Sequence, residues 1–376
     1  MSRLGDLGGR LYRGEASFDI VGRRKVWYGV SAALILVAIG GILVRGLNLG
    51  IEFRGGGEFY VPSTSCTIQQ ARDAIGSTGV QIAAVTEIGS DNIRAQTEAV
   101  PEGQSVKIVD ALSEACGVPA DQISSRNVGP TWGGEITRSA TVALVVFLAA
   151  LAVFLTIYFQ WKMAVAALIA LAHDIIITTG IYAIVGFEVT PATVIGLLTI
   201  LGYSLYDTVV VFDKVKENTQ GITGQSRYTF SQLANLALNQ TIIRSINTSI
   251  VALLPVASIL FVGAGLLGAG TLKDLALVLF VGTAVGTYSS IFVATPALCD
   301  MKEREPAMKA LSQRVMKRRA SRGDAVTGDQ PAEKAAVAAG GGGGLAPAAD
   351  RKHRQNRDAA GRAQPKRQSR SQRKKS

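Results

Sequence analysis

The segment "GYSLYDTVVVFDKVKEN", residues 202 to 218, carries ionisable and hydroxyl groups at helical spacing inside an apolar run. Tyr203, Ser204, Asp207, Thr208 and Val211 recur at i, i+3 and i+4, so Tyr203 and Asp207 share a face with Ser204 and Thr208 beside them. Downstream, "NQTIIRSINTSIVALLPV" holds Arg244 within reach of Thr241, Ser245 and Thr248, expected along one side of its own helix. An aspartate and an arginine at similar depth on consecutive spans admit two chemistries. They neutralise each other as a structural pair, or they form a proton relay. In the relay, desolvation favours the neutral acid and a nearby guanidinium favours the charged one. Asp174, next to His173 on a third apolar run, is either a neighbour in such a relay or a helix–helix hydrogen-bonding group.

Those groups need a membrane-spanning scaffold. The chain has 376 residues, 48% of them hydrophobic. Six windows approach the roughly 20 apolar residues that cross a bilayer: 26–44, 140–159, 163–186, 193–212, 241–261 and 275–298. The fold expected is therefore a membrane α-helical bundle of six transmembrane helices. The first window is longer than a signal core and lacks a clear small-x-small cleavage site, so it reads as an uncleaved anchor. In the fourth and fifth windows, Asp207 and Arg244 lie roughly 9 and 6 Å from the same membrane surface. An intramembrane charge costs about 2.5–3.5 kcal/mol on insertion scales.

Lys and Arg set the orientation. The first 25 residues carry six, and Lys162, Lys214, Lys216 and Arg227 fall on the same side. The opposite side has Lys273 alone. Both termini are expected in the cytoplasm and residues 45–139 on the exported side. The order strand, helix, strand, strand, helix, strand in that segment suggests a small α/β ferredoxin-like layer, with irregular loop as the alternative. The two central strands are expected to join at 89–92. Cys66 precedes the first helix and Cys116 ends the second. Antiparallel helices bring both to one end, so a disulfide is expected there, with Cys299 free. Three cysteines and two histidines do not make an ordinary four-ligand metal site. No GxxxxGK[ST] loop is present, so ATP is not a direct fuel.

The net charge of +11 is concentrated in residues 301–376, which hold 20 Lys and Arg against 7 Asp and Glu. This tail is expected to be disordered. It either fixes orientation as a solvated segment or contacts anionic lipid or RNA. Gly282 and Gly286 are at GxxxG spacing, which favours close helix packing.

Five ordered segments resemble the SecF-type members of the SecD/SecF family, in the resistance-nodulation-division superfamily. "GIEFRGGGEF" carries Gly50, Glu52, Phe53, Gly55 and Gly56 of a GxDFxGG motif, and "VGPTWGGEI" carries Gly129 and Pro130 of a VGP motif. "GYSLYDTVVVFDKVKEN" and "NQTIIRSINTS" follow, then "VGTAVGTYSSIFVATP" with Gly286, Tyr288, Ser289 and Ser290. The resemblance covers about residues 20 to 300. It departs at Glu52, Arg54, Tyr206, Lys214 and Lys216; Tyr206 stands where an asparagine is usual. The resemblance implies a bacterial plasma-membrane subunit that works with SecD beside the SecYEG channel, without enzymatic chemistry. It implies secretory proteins as clients, a YajC-like accessory subunit, and protons as the coupling ion with no cofactor. It places the relay on Asp207 and Arg244. The alternatives are a small-molecule exporter subunit of the same superfamily and a scaffold whose tail recruits RNA or ribosomes.

Overall fold

The computed structural model describes residues 17–62, 66–88, 92–101, 103–264 and 270–322. The turn expected at 89–92 lies mostly outside them, as do the first 16 residues and residues 323–376 of the tail.

Among the described residues, six helices are long and apolar enough to cross a membrane. They are α1 (Arg24–Arg45), α5 (Pro130–Tyr158), α6 (Trp161–Val185), α7 (Pro191–Asn218), α8 (Phe230–Ser258) and the broken last helix, which begins as α9 (Gly270–Ser289). The last helix continues through a π-helical turn, Ser290–Ala294, into α10 (Thr295–Glu303). Pro255 lies inside α8, where it removes a backbone donor, and α8 gives way to a second π-helical stretch at Ile259–Ala264.

Several helices run past their apolar windows. Helix α5 begins ten residues before its window and α8 eleven residues before its own. Hydropathy marks where apolar side chains start, whereas caps mark where a helix starts. Thr190 and Thr229 close capping boxes with Thr193 and Gln232, each supplying oxygens to otherwise unpaired N–H groups.

Small residues set the close crossings. A Cβ on Gly180 would sit 2.2 Å from the Ala38 Cβ, and one on Gly41 would sit 2.3 Å from Ile184 Cγ1, so α1 and α6 touch nearly backbone to backbone. The α7–α9 crossing is equally tight: a Cβ on Gly196 would lie 2.3 Å from Val278 and one on Gly282 2.2 Å from Ile200. Dispersion between close backbones favours helix association where water supplies no hydrophobic drive.

Between α1 and α5 lies a small domain. After strand β1 (Asn48–Leu49) and the short helix α2 (Ile51–Arg54) come β2 (Gly56–Pro62), α3 (Ile68–Ser77), β3 (Ile82–Ile88), β4 (Asn92–Thr97), α4 (Gln104–Cys116) and β5 (Ser124–Val128). The sheet order is β3-β4-β2-β5 and every pair is antiparallel, as in a split βαβ layer. Phe59, Val61, Ile93 and Ala95 of the two central strands face Ile75, Ile108 and Leu112 of the helices in one buried core. Cys66 and Cys116 are joined by a disulfide across a Cα separation of 4.7 Å. Cys299 is free and buried.

The domain has a further attachment besides its two linkers. β1 pairs in parallel with β6 (Glu188–Val189) in the connection between α6 and α7. The Gly50 N–H donates to the Val189 carbonyl at 2.9 Å.

The expectation of disorder from residue 301 onward is corrected for residues 301–322; residues 323–376 lie outside the described residues. After α10 the chain forms α11 (Pro306–Arg322), whose Leu311 and Val315 are fully buried in the main bundle core. Met308, Leu311 and Val315 make a narrow stripe at i, i+3 and i+7, which is enough for one buried face. Arg314, Arg318 and Arg319 bond to the Thr223 carbonyl, the Ser226 hydroxyl and the Gln232 side chain, holding α11 against the α7–α8 connection.

Candidate functional site within the membrane bundle

The site lies where α6, α7 and the π-helical turn of the last span meet. A Cβ on Gly286 would lie 2.8 Å from the Ser204 Cβ, so only a glycine lets α9 approach α7 this closely. One turn further, Ser289 and Ser290 reach the same layer, both fully buried. The π-helical turn adds a residue to its loop and turns hydroxyls inward; such bulges recur at functional positions.

Asp174 is the centre of this layer. It is 1% exposed. Its Oδ2 accepts from Ser204 Oγ at 2.6 Å and Ser289 Oγ at 2.9 Å, and its Oδ1 lies 3.2 Å from His173 Nδ1. Thr208 Oγ1 donates to Ser290 Oγ at 3.0 Å, and Ser290 Oγ to the Ser204 carbonyl at 3.2 Å. Two hydroxyls, one from α7 and one from α9, thus bond one acid, and Thr208 and Ser290 bond each other beside Ser204. Buried polar groups are tolerated when bonded in this way.

Asp207 sits one turn along α7 from Ser204 and is 4% exposed. Its Oδ2 and the Ser245 Oγ are both buried without a hydrogen-bond partner. Ser245 and Arg244 of α8 bring polar groups near the carboxylate without closing a hydrogen bond to it. Among the described residues, however, no ion pair joins Asp207 to Arg244. The Arg244 Nη2 donates instead to the Tyr206 hydroxyl at 3.1 Å. The expectation that Thr241, Arg244, Ser245 and Thr248 line one side of α8 is also corrected. Thr241, Ser245 and Ser249 face the interior, whereas Arg244 is exposed. Adjacent residues on a helix differ by about 100°, so Arg244 and Ser245 cannot share a direction. Tyr203 lies between the two faces and donates its hydroxyl to the Thr248 carbonyl at 2.9 Å. Tyr206, the departure noted in the sequence, is 50% exposed beside Arg244.

The glycine motifs build the seat of the domain. Gly50 caps α2, and Gly129 caps α5, whose first residue is Pro130. A Cβ on Gly133 would meet the Phe53 carbonyl at 2.6 Å, so α2 rests directly on the start of α5. Gly55 adopts φ 78°, and a Cβ on Gly56 would meet the Thr97 carbonyl at 2.4 Å. Glu52 pairs with Arg126 at 3.2 Å.

Sequence reasoning missed a second polar cluster on this side. Arg94 forms ion pairs with Glu58 and, at 2.6 Å, with Glu188; Gln96 bonds Glu188 at 2.8 Å. Burial opposes the guanidinium charge, but Glu188 and then Glu58 outweigh it and hold Arg94 above its ordinary range. Tyr60, opposite Arg94 in the β2–β4 register, is pushed up to about 12 by burial and by Glu58. The Glu58 and Arg94 pairing had a signal in strand register, but Glu188 lies 94 residues away from Arg94 and had none.

At the end of the bundle away from the domain, α1 meets α10. Arg24 pairs with Asp300 at 3.1 Å and Glu303 at 2.9 Å, and the Tyr28 hydroxyl donates to Asp300 at 2.6 Å. Deeper in α1, Ser31 Oγ lies 3.1 Å from the Tyr288 hydroxyl.

Comparison with known proteins agrees with this architecture. Residues 108–304 match the family described as protein export membrane protein SecD/SecF, C-terminal. The protein translocase subunit SecF of Streptomyces coelicolor is 52% identical over 321 residues, covering 85% of this chain and 86% of that protein. The SecF subunit of Mycobacterium tuberculosis H37Rv is 48% identical over 341 residues, covering 86% of this chain and 77% of that one. The crystal structure of SecDF, a translocon-associated membrane protein from Thermus thermophilus, superposes with a TM-score of 0.69 at 28% identity. That superposition covers 77% of this chain and only 39% of the SecDF chain. The chain is a multi-pass membrane protein and belongs to the SecD/SecF family of protein-export membrane proteins.

Proposed function

We propose that this SecF-type translocase subunit works with a SecD-type partner, in the bacterial plasma membrane and with both termini in the cytoplasm, to couple proton movement to late export through SecYEG. The observation that carries the reading is the pairing of two faces at one depth. Asp207 is buried with an unpartnered oxygen, and beside it Arg244 and Tyr206 stand exposed on the membrane surface of α7 and α8. A guanidinium left against hydrocarbon is unfavourable by about 2.5–3.5 kcal/mol, so a second polar surface belongs over it. A SecD-type half supplies that surface, consistent with parallel six-span halves about a central axis.

In this mechanism Asp207 takes a proton from the exported side while distant from Arg244 and releases it when the guanidinium swings from Tyr206 toward the carboxylate. Movement of one charge through the membrane potential supplies about 2.3 kcal/mol per 100 mV. Thr208, Ser204 and Asp174 extend the polar layer inward from Asp207. Protons are the coupling ion and no cofactor takes part. Secretory proteins are the clients and a YajC-like subunit a further partner. Residues 323–376, strongly basic, either fix orientation as a solvated segment or contact anionic lipid or RNA at the cytoplasmic surface.

Asp207→Asn tests the reading. It keeps shape and hydrogen-bonding capacity and removes titration. The variant is expected to insert, to co-purify with SecD and to lose proton-driven export. If Asp207 serves only to neutralise Arg244, the defect is low abundance instead, because a guanidinium on the lipid-facing side is left without a counter-charge. Normal export by a stably inserted variant ends the proton-coupling reading.

A further inference from the structure

His173 has no role in the mechanism above, yet it is 3% exposed in the middle of the bundle with its Nε2 buried and unpartnered. Its Nδ1 is 3.2 Å from Asp174 Oδ1. Its ring stacks on Tyr288 of the last span, with centroids 5.9 Å apart and planes inclined by 24°. The Tyr288 hydroxyl is 3.1 Å from Ser31 Oγ on α1, and Ser31 is itself 6% exposed. One helical turn earlier on α1, the Tyr28 hydroxyl donates to Asp300, which Arg24 holds at the bundle's outer end. Trp27, four residues before Ser31 and so on its face, has a buried indole N–H without a partner. Polar atoms therefore run from the central acid to the terminus-bearing face along α1, on α6's other flank from Asp207 and Arg244.

We propose that Asp174, His173, Tyr288, Ser31 and Tyr28 form a proton-release line that delivers protons from the central acid to Asp300 at the cytoplasmic face. The inference deepens the proton-coupling reading and rests on it for direction. Asp174 gives its proton to His173 Nδ1, and the imidazolium loses a different proton from Nε2. The Tyr288 and Ser31 hydroxyls each accept one proton and donate one. The last proton leaves Tyr28 for the Asp300 carboxylate, and Tyr28 is reprotonated from Ser31. The three hydroxyls end as they began, while Asp174 ends ionised, His173 as its Nδ1–H tautomer and Asp300 protonated; the line resets when Asp300 releases its proton to the cytoplasm, the imidazole turns over and Asp174 is reprotonated. The titratable groups against His173 are Asp174 from its own helix and Tyr288 from the last span.

Two links are not hydrogen bonds. Stacked rings join His173 to Tyr288, and a helical turn separates Ser31 from Tyr28. Both must close by side-chain rotation, so the line conducts in steps and does not leak continuously. Tyr288 is the residue on which closure depends, because it touches His173 on one side and Ser31 on the other.

The test uses proteoliposomes holding this chain with its SecD-type partner, an enclosed pH-sensitive dye and an imposed proton gradient. Tyr288→Phe keeps the ring against His173 and Phe292 and removes only the hydroxyl; Ser31→Ala removes a single oxygen. The two together are expected to slow proton flux by about tenfold or more and to enlarge its solvent deuterium isotope effect. Protein level and SecD co-purification are expected to match the wild type. His173→Gln is expected to slow flux alongside them. Wild-type flux and isotope effect in the double variant, with Asp207→Asn still inactive, overturn the release line and leave the Asp207 reading standing. Slow flux in the double variant with a fully active Asp207→Asn supports the line and removes Asp207 from the route. A wild-type complex that passes no protons overturns both.

Discussion

Gly286→Ala is the sharpest perturbation of the central layer. The added Cβ would sit 2.8 Å from the Ser204 Cβ and 3.0 Å from its Oγ. Ordinary carbon–carbon contact is about 3.5–4.0 Å, so the α7–α9 crossing must open by something approaching an ångström. The neighbouring contacts at Gly282–Ile200 and Gly196–Val278 leave no slack along that crossing. Overpacking of this kind costs about 1–3 kcal/mol. The same displacement carries Ser204 away from Asp174, whose 2.6 Å bond is the shortest in the layer. Gly202→Ala is the matched control, since a Cβ there meets nothing within 4 Å, and alanine is the better helix former by about 1 kcal/mol. In detergent, Gly286→Ala is expected to unfold at a clearly lower temperature than wild type, and Gly202→Ala at the same temperature or higher. Ser204→Gly in the Gly286→Ala background removes the clashing carbon but also a donor to Asp174 and adds a glycine inside α7, so it is expected to recover thermal stability only in part and not to restore export. Equal melting of the two alanine variants would refute the argument that Gly286 is there for close approach.

Arg94→Met leaves Glu58 and Glu188 as buried, unneutralised carboxylates, so it is expected to destabilise the domain by about 3–5 kcal/mol and to raise protease cleavage around residues 186–190. Arg94→Lys keeps the charge but cannot fork to two acids and is expected to fall between the two in the same assay. Replacing Cys66 and Cys116 with serine is expected to lower the stability of the domain by about 2–4 kcal/mol, read by denaturant titration of the intact protein against its reduced form. Truncation after Glu305 is expected to leave membrane insertion intact but to lower abundance, because it removes Leu311 and Val315 from the core; the same level as full-length protein would show that α11 contributes nothing to folding.

The spans were legible because each concentrates apolar residues over a length that only a membrane explains. The domain's helices and strands were legible from short alternating runs between glycines. The intramembrane acids stood out for the opposite reason, as exceptions to their surroundings. What the sequence hid was rotation and long-range contact. Nothing local says that Arg244 turns outward while Ser245 turns inward, since the angle depends on where α8 packs. Asp174 stayed open between relay neighbour and helix–helix hydrogen-bonding group because its donors, Ser204 and Ser289, come from spans 30 and 115 residues away. Helix α11 was hidden by its charge, which outweighs a stripe of three apolar side chains in any average. Its stability comes from the neighbours it meets, and composition does not record neighbours.

The pairing of β1 with β6 changes what kind of object the small domain is. Held only by its two linkers, it would be a ball on a cord, free to swivel as the helices below it tilt. The third attachment, through the Asn48–Glu188 and Leu49–Val189 register and the Arg94 bridge to Glu188, turns it into a bracket bolted to the α6–α7 connection. A rigid bracket transmits torque. A rotation of α6 or α7 driven from within the membrane must therefore sweep the sheet through an arc above the surface, and a pull on the sheet must be felt by the helices that carry Asp174 and Asp207.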